Sequence, residues 1–144
     1  MNSVSRNTRI SNTILHEGLP SERGSKSSIA GLNEIRLQLA GETIRERLSE
    51  TMDVSTLSSI VGLSRSHFSR TFRKALGEPP HAHICRLRID RAMKLMRESD
   101  SSLSQIALAV GFSDQAHFSN IFRRATGATP SQWRKSQLAI DVLL

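Results

Sequence analysis

From Ile35 onward, apolar residues recur at helical spacing almost without a break, and no stretch alternates with period two for long enough to form a strand. Ile35–Leu39 and Ile44–Leu48 fall on one stripe, with Glu42, Arg45, Glu46 and Arg47 on the other faces. Asp53 or Ser55 is placed to cap a short second helix carrying Leu57, Ile60 and Val61, which stops at Gly62. Ser64 caps a third, with Phe68, Phe72 and Leu76 four apart, ending at Gly77 ahead of Pro79-Pro80. A long helix is predicted from about His81 to Glu98, with Ile84, Leu87, Ile89, Ala92, Leu95 and Met96 on a broad apolar face. Ser101-Ser102 opens another short helix (Leu103, Ile106, Ala107, Val110) that Gly111 stops. Asp114 opens the next, with Phe118 and Phe122, ending at Gly127, and Pro130 begins a last short helix holding Trp133. The predicted fold class is all-α.

Residues 1–30 differ in kind: seven serines, two glycines and a proline surround one small apolar island, Ile14, Leu15 and Leu19. That island is too small for a core, so residues 1–34 are expected to be a flexible Ser-rich arm or linker. Residues 35–137 are expected to be the folded domain, with 138–144 a short, frayed C-terminal tail.

The helical part repeats. His67-Phe68-Ser69 and His117-Phe118-Ser119 are 50 residues apart, as are Phe72 and Phe122, Gly77 and Gly127, and Pro80 and Pro130. Leu57 and Ile106, Val61 and Val110, and Gly62 and Gly111 are 49 apart, so the second copy has one more residue in its turn. Each copy reads as short helix, glycine turn, second helix with two phenylalanines: a helix-turn-helix, at about 55–76 and 103–126. The phenylalanines anchor the second helix to the first and leave its opposite face free.

Composition gives that face its meaning. The 144 residues hold 20 Lys+Arg against 13 Asp+Glu, a net charge of +7, and 38% are apolar, enough for one small domain. A single cysteine excludes a disulfide framework. No apolar run is long enough for a membrane helix, and the N-terminus lacks the apolar core of a signal peptide. Residues 65–74 contain four basic side chains and no acid. Arg65, Ser66, Ser69, Arg70, Arg73 and Lys74 recur at spacings of three to four, and the same face of the second copy holds Gln115, Ala116, His117, Asn120, Arg123 and Arg124. Arg, Gln, Asn and His reach base edges, and Lys and Arg neutralise phosphate.

From Ile35 to Arg134 the chain resembles the DNA-binding domain of the AraC/XylS transcription regulators. The second half carries this most strongly: Ile106-Ala107, Val110-Gly111-Phe112-Ser113-Asp114-Gln115, His117-Phe118-Ser119, Phe122, Gly127, Thr129-Pro130-Ser131 and Trp133-Arg134. The first half matches through Gly62 to Arg70, Phe72-Arg73, Gly77 and Pro80, and the long helix through Arg88-Ile89, Arg91-Ala92 and Leu95-Met96. The resemblance implies about seven helices in two homeodomain-like helix-turn-helix subdomains joined by the long helix. It implies that the two recognition helices enter successive major grooves of double-stranded DNA. Carried over residue by residue, the base contacts are Ser66, Ser69, Arg70 and Arg73, then Gln115, Ala116, His117 and Asn120. Arg65, Lys74, Arg123 and Arg124 are the phosphate contacts.

The family further implies a bacterial, cytoplasmic, nucleoid-associated regulator, an activator through contact with RNA polymerase, with no cofactor and no membrane partner. Ser66 stands where some members place a large aromatic side chain, Ala116 touches a thymine methyl or nothing, and His83 stands where an aromatic packing residue is common. About 34 residues precede the unit where members carry a sensor domain, so no small-molecule effector domain is evident. The expectation is a stand-alone regulator or a remnant of a larger one.

Other constellations are weaker. His81, His83 and Cys85 are two apart, which turns helical side chains away from each other, whereas zinc wants four converging ligands. Ser113, Asp114 and His117 hold the residue types of a hydrolase triad, yet no strand precedes the turn and the fifth position of the elbow is Gln115. Neither a metal site nor an enzyme is expected. The alternative from another class is an interaction module that binds DNA without sequence preference, or binds polymerase, through the same basic surface.

Overall fold

The computed structural model describes residues 25–143; the rest of the expected arm, with its island at Ile14, Leu15 and Leu19, lies outside the described residues. Seven α-helices follow one another, with no strand among the described residues. They are α1 (Ser25–Glu46), α2 (Val54–Ile60), α3 (Arg65–Leu76), α4 (Pro80–Glu98), α5 (Leu103–Ala109), α6 (Gln115–Thr126) and α7 (Pro130–Leu143). The repeat is carried into space: α5 starts 49 residues after α2, and α6 starts 50 after α3.

Short helices of seven residues are marginal alone, so their ends carry specific bonds. The Asp53 carboxylate accepts the Thr56 amide at 2.7 Å and opens α2. Ser64 and Asp114 accept the amides of His67 and His117, at 3.2 and 2.7 Å, and open the two second helices. Ser102 and Gln105 close a reciprocal capping box on α5. Both α3 and α6 end on a glycine in the left-handed conformation, Gly77 and Gly127.

Two hydrophobic clusters form, one per subdomain. Ala40, Ile44, Leu48, Leu57, Val61, Phe68, Phe72 and Ile84 make the first. Ile89, Ala92, Met96, Ile106, Ala107, Val110, Phe112, Phe118 and Phe122 make the second. Helix α4 serves both, giving Ile84 near its start to one and Ile89, Ala92 and Met96 to the other. The phenylalanine pairs fill the centres with rings tilted to one another, at 5.5 Å for Phe68–Phe72 and 5.7 Å for Phe118–Phe122. His83 packs edge-on to Phe72 at 5.3 Å, and Trp133 does the same for Phe122 at 5.9 Å.

Two boundaries differ from the sequence expectation. Helix α1 begins at Ser25 rather than near Ile35, because the stretch from Ser25 to Glu34 holds no proline and extends a helix already anchored by Ala40 and Ile44. Helix α7 runs through Leu138 to Leu143 where a tail was expected, since nothing after Trp133 stops a helix. Leu138, Val142 and Leu143 remain exposed on it.

Candidate nucleic-acid interface

Each recognition helix buries two phenylalanines and presents its polar and basic side chains on the opposite face. On α3, Arg65, Ser66, His67, Arg70, Arg73 and Lys74 are exposed and Ser69 is half-buried at the edge. On α6, Gln115, Ala116, His117, Asn120, Arg123 and Arg124 are all exposed. The structure therefore brings the twelve predicted residues onto two outward faces, six on each. No carboxylate lies within either helix. Superposing the repeat pairs Arg73 with Arg123 and His67 with His117, so His67, which was not singled out beforehand, occupies the same outward position as its partner. The signal was already in the repeat.

The one side chain among these held by a specific contact is His117. Its ring stands edge-on to Phe112 at 5.3 Å and 84°, which restricts its direction at the start of α6.

Three groups carry the geometry through contacts that the sequence reading did not anticipate. Arg88, half-buried on α4, donates from Nε to the Leu48 carbonyl at 3.1 Å and from Nη2 to the Glu50 carbonyl at 3.0 Å. These carbonyls lie just past α1, where backbone acceptors lack helical partners and favour a cation. Its guanidinium also lies over the Phe112 ring at 5.8 Å. Burial pushes its pKa below the ordinary arginine value, though arginine stays charged far above neutral pH. Arg134 on α7 does the same service for the end of α4, donating to the carbonyls of Met96, Ser99 and Ser101 at 3.4, 3.0 and 2.8 Å.

The third group pins the turn after α3. Glu78 accepts from Arg86 Nε and Nη2 at 3.1 and 2.9 Å and lies 2.8 Å from His83 Nδ1. The Arg86 bonds, then the one from His83, hold its carboxyl below the usual carboxylate range. A carboxylate with a depressed folded pKa stabilises above its unfolded pKa and loses that contribution as pH falls through the folded value. Wild-type protein is accordingly more stable than Glu78→Gln at neutral pH. The gap between their melting temperatures narrows as pH drops below about 4, the ordinary glutamate range. A gap that stays constant from neutral pH to acid would refute the assignment.

His81 and His83 do not converge with Cys85 on one point: His83 turns to Glu78, and His81 Nε2 lies 3.9 Å from Cys85 Sγ. Burial pushes the Cys85 thiol pKa up, which keeps it protonated at neutral pH. Among the described residues no three His, Cys, Asp or Glu side chains form a group that could hold a metal ion, and no helix is long and apolar enough to cross a membrane.

Two helix-turn-helix units, each with an acid-free outward recognition helix, define a two-headed DNA-binding domain. Comparison with known proteins agrees. A helix-turn-helix family model matches residues 57–136. The probable transcriptional regulator LumQ of Photobacterium leiognathi is 34% identical over 103 residues, which is 72% of this chain and 42% of that protein. The HTH-type transcriptional regulator GlxA of Rhizobium meliloti (strain 1021) is 31% identical over 131 residues, 88% of this chain and 40% of that protein. Among solved structures, the DNA-binding domain of the global transcriptional factor AdpA in complex with a target DNA superposes with a TM-score of 0.70 at 31% identity, covering 72% of this chain and 94% of that one. An AraC-type transcriptional regulator from Chromobacterium violaceum gives 0.65 at 31% identity, over 71% and 91% of the two chains. The chain belongs to the AraC-type family of helix-turn-helix transcription regulators. It spans about two fifths of the length of the curated relatives LumQ and GlxA.

Proposed function

We propose that this chain is a sequence-specific regulator of transcription that lays α3 and α6 into successive major grooves of double-stranded DNA, about one helical turn apart. The observation that carries this is the pair of equivalent outward faces, each polar or basic, acid-free, and braced from behind by buried phenylalanines. Ser66, Ser69, Arg70 and Arg73 on α3 and Gln115, Ala116, His117 and Asn120 on α6 read base edges; Arg65, Lys74, Arg123 and Arg124 grip phosphates and set register. The family resemblance favours activation through RNA polymerase. It also favours the bacterial cytoplasm, at the nucleoid, as the place of action.

Selection from a randomised duplex pool at about 150 mM salt, where non-specific phosphate binding is weakened, tests this. Two short boxes about one turn apart are the expected product. One box alone means α3 is only an anchor. No enrichment, with salt-sensitive binding to every duplex, replaces the regulator by an interaction module without sequence preference.

The division into readers and anchors has its own test. On the selected duplex Arg70→Ala costs about 1–3 kcal/mol and relaxes preference at one or two base pairs. Lys74→Ala weakens binding to all duplexes about equally and lowers the salt slope by about one. Identical behaviour of the two variants across sequences overturns the division.

A further inference from the structure

We propose that Arg88 fixes the rotational phase between the two reading heads, and with it the spacing of DNA boxes the protein accepts. The proposal rests on the two-headed function above and concerns how that site is set. Where the first subdomain meets the turn of the second, the loop residues Ser49, Thr51 and Met52 face Gly111, Ser113 and His117 across a cleft in which Arg88 lies. Arg88 touches both sides. It holds the Leu48 and Glu50 carbonyls of the first subdomain with two N–H groups, and its cationic plane covers Phe112 of the second. Phe112 in turn supports the His117 ring at the start of α6. One guanidinium thus ties the end of α1 to the turn that aims the second recognition helix.

The backbone leaves little freedom at this point. Gly111 has φ +99°, and a Cβ there would run into the Leu48 carbonyl and lie 2.8 Å from Arg88 Nε. The corresponding Gly62 has open space around it, so the close approach belongs to the joint and not to the turn as such. Arginine suits the task because its planar fork reaches two acceptors at once while its face stays free for a ring; a lysine reaches one. Among the described residues no carboxylate is paired with Arg88, so its charge is spent on backbone carbonyls and an aromatic face rather than on an ion pair.

Rigid coupling gives the second head a high effective concentration at one spacing and a low one elsewhere. Inserting two base pairs between the boxes rotates one by about 70° relative to the other. Wild-type protein is expected to lose about 10–100-fold in affinity on that insertion. Arg88→Gln is expected to lose about tenfold at the original spacing, to differ less than about threefold between the two spacings, and to bind a single box like wild type. Arg88→Lys, which keeps the charge and one donor, falls between them and carries the test where Arg88→Gln does not fold. A loss of the same factor on every duplex, single box included, overturns the proposal, as does a wild-type spacing penalty in both variants.

A second measurement needs no DNA. In the full chain with Cys85→Ser, spin labels at Ala75→Cys on α3 and Ala125→Cys on α6 report the distance between the heads. A narrow distribution that broadens on Arg88→Lys or Arg88→Gln is expected; one that stays narrow overturns the joint. If the distribution broadens but wild type shows no preference for paired boxes, the two-headed function fails and the role of Arg88 in box spacing is overturned with it, leaving only a structural joint.

Discussion

Gly111→Ala destabilises the protein by about 2–5 kcal/mol, whereas Gly62→Ala at the equivalent turn costs about 1–2 kcal/mol. Both glycines hold positive φ, +69° at Gly62 and +99° at Gly111, so both substitutions incur the left-handed penalty of an L-residue. Only Gly111 has a second constraint. Its added methyl meets a backbone carbonyl, Leu48 O, and the guanidinium bonded to that carbonyl. A flexible side-chain tip could swing aside. The carbonyl cannot move without pulling the end of α1, and Arg88 cannot move without releasing Leu48 and Glu50. Overpacking against such neighbours costs about 1–3 kcal/mol beyond the backbone term, a large share of the 5–15 kcal/mol typical of a domain. Urea denaturation of the two alanine variants measures the difference directly. Equal losses would show that Gly111 serves only its turn and that the two subdomains do not meet closely there.

What was legible in the sequence follows from where the physics is local. Helices α2, α3, α5 and α6 are each bracketed by a cap and a glycine, Asp53 and Gly62, Ser64 and Gly77, Ser102 and Gly111, Asp114 and Gly127, and α4 is opened by the Pro79-Pro80 pair. Their limits could be read to within a residue or two. The outward faces were legible too, since the four-residue phenylalanine spacing fixes which side is buried. The start of α1 and the end of α7 were not, because no stop signal marks them and the low apolar content of Ser25–Glu34 resembles a linker. Nor were the two arginines that hold the joints. Arg88 reaches carbonyls 38 and 40 residues away, and Arg134 carbonyls 33 to 38 away; no sequence spacing encodes such a contact. One clue existed. Position 88 falls on the same arc of α4 as Ile84, Ala92 and Leu95, and a cation on the apolar stripe of a helix must find acceptors inside the fold.

Phe122→Ala opens the second head and leaves the first folded; Phe72→Ala does the converse. Each ring is fully buried at the centre of its own cluster, and removing such a side chain costs about 3–5 kcal/mol through lost burial and the cavity left behind. Phe122 touches Phe118 and Trp133, whereas Phe72 touches Phe68 and His83, and neither cluster contains a residue of the other. The loss therefore falls on one subdomain, and local opening there becomes cheaper than global unfolding. Amide exchange on Phe122→Ala should accelerate throughout α5, α6 and α7 while amides of α2 and α3 keep their protection. Helix α4, which serves both cores, should divide: protection persists near Ile84 and falls toward Met96. Uniform acceleration across the chain would mean that the two clusters unfold as one unit, tied so firmly through α4 and Arg88 that neither head can open alone. That result would also bear on DNA binding, since a protein whose heads open separately can still hold one box with the intact head, and a single cooperative unit cannot.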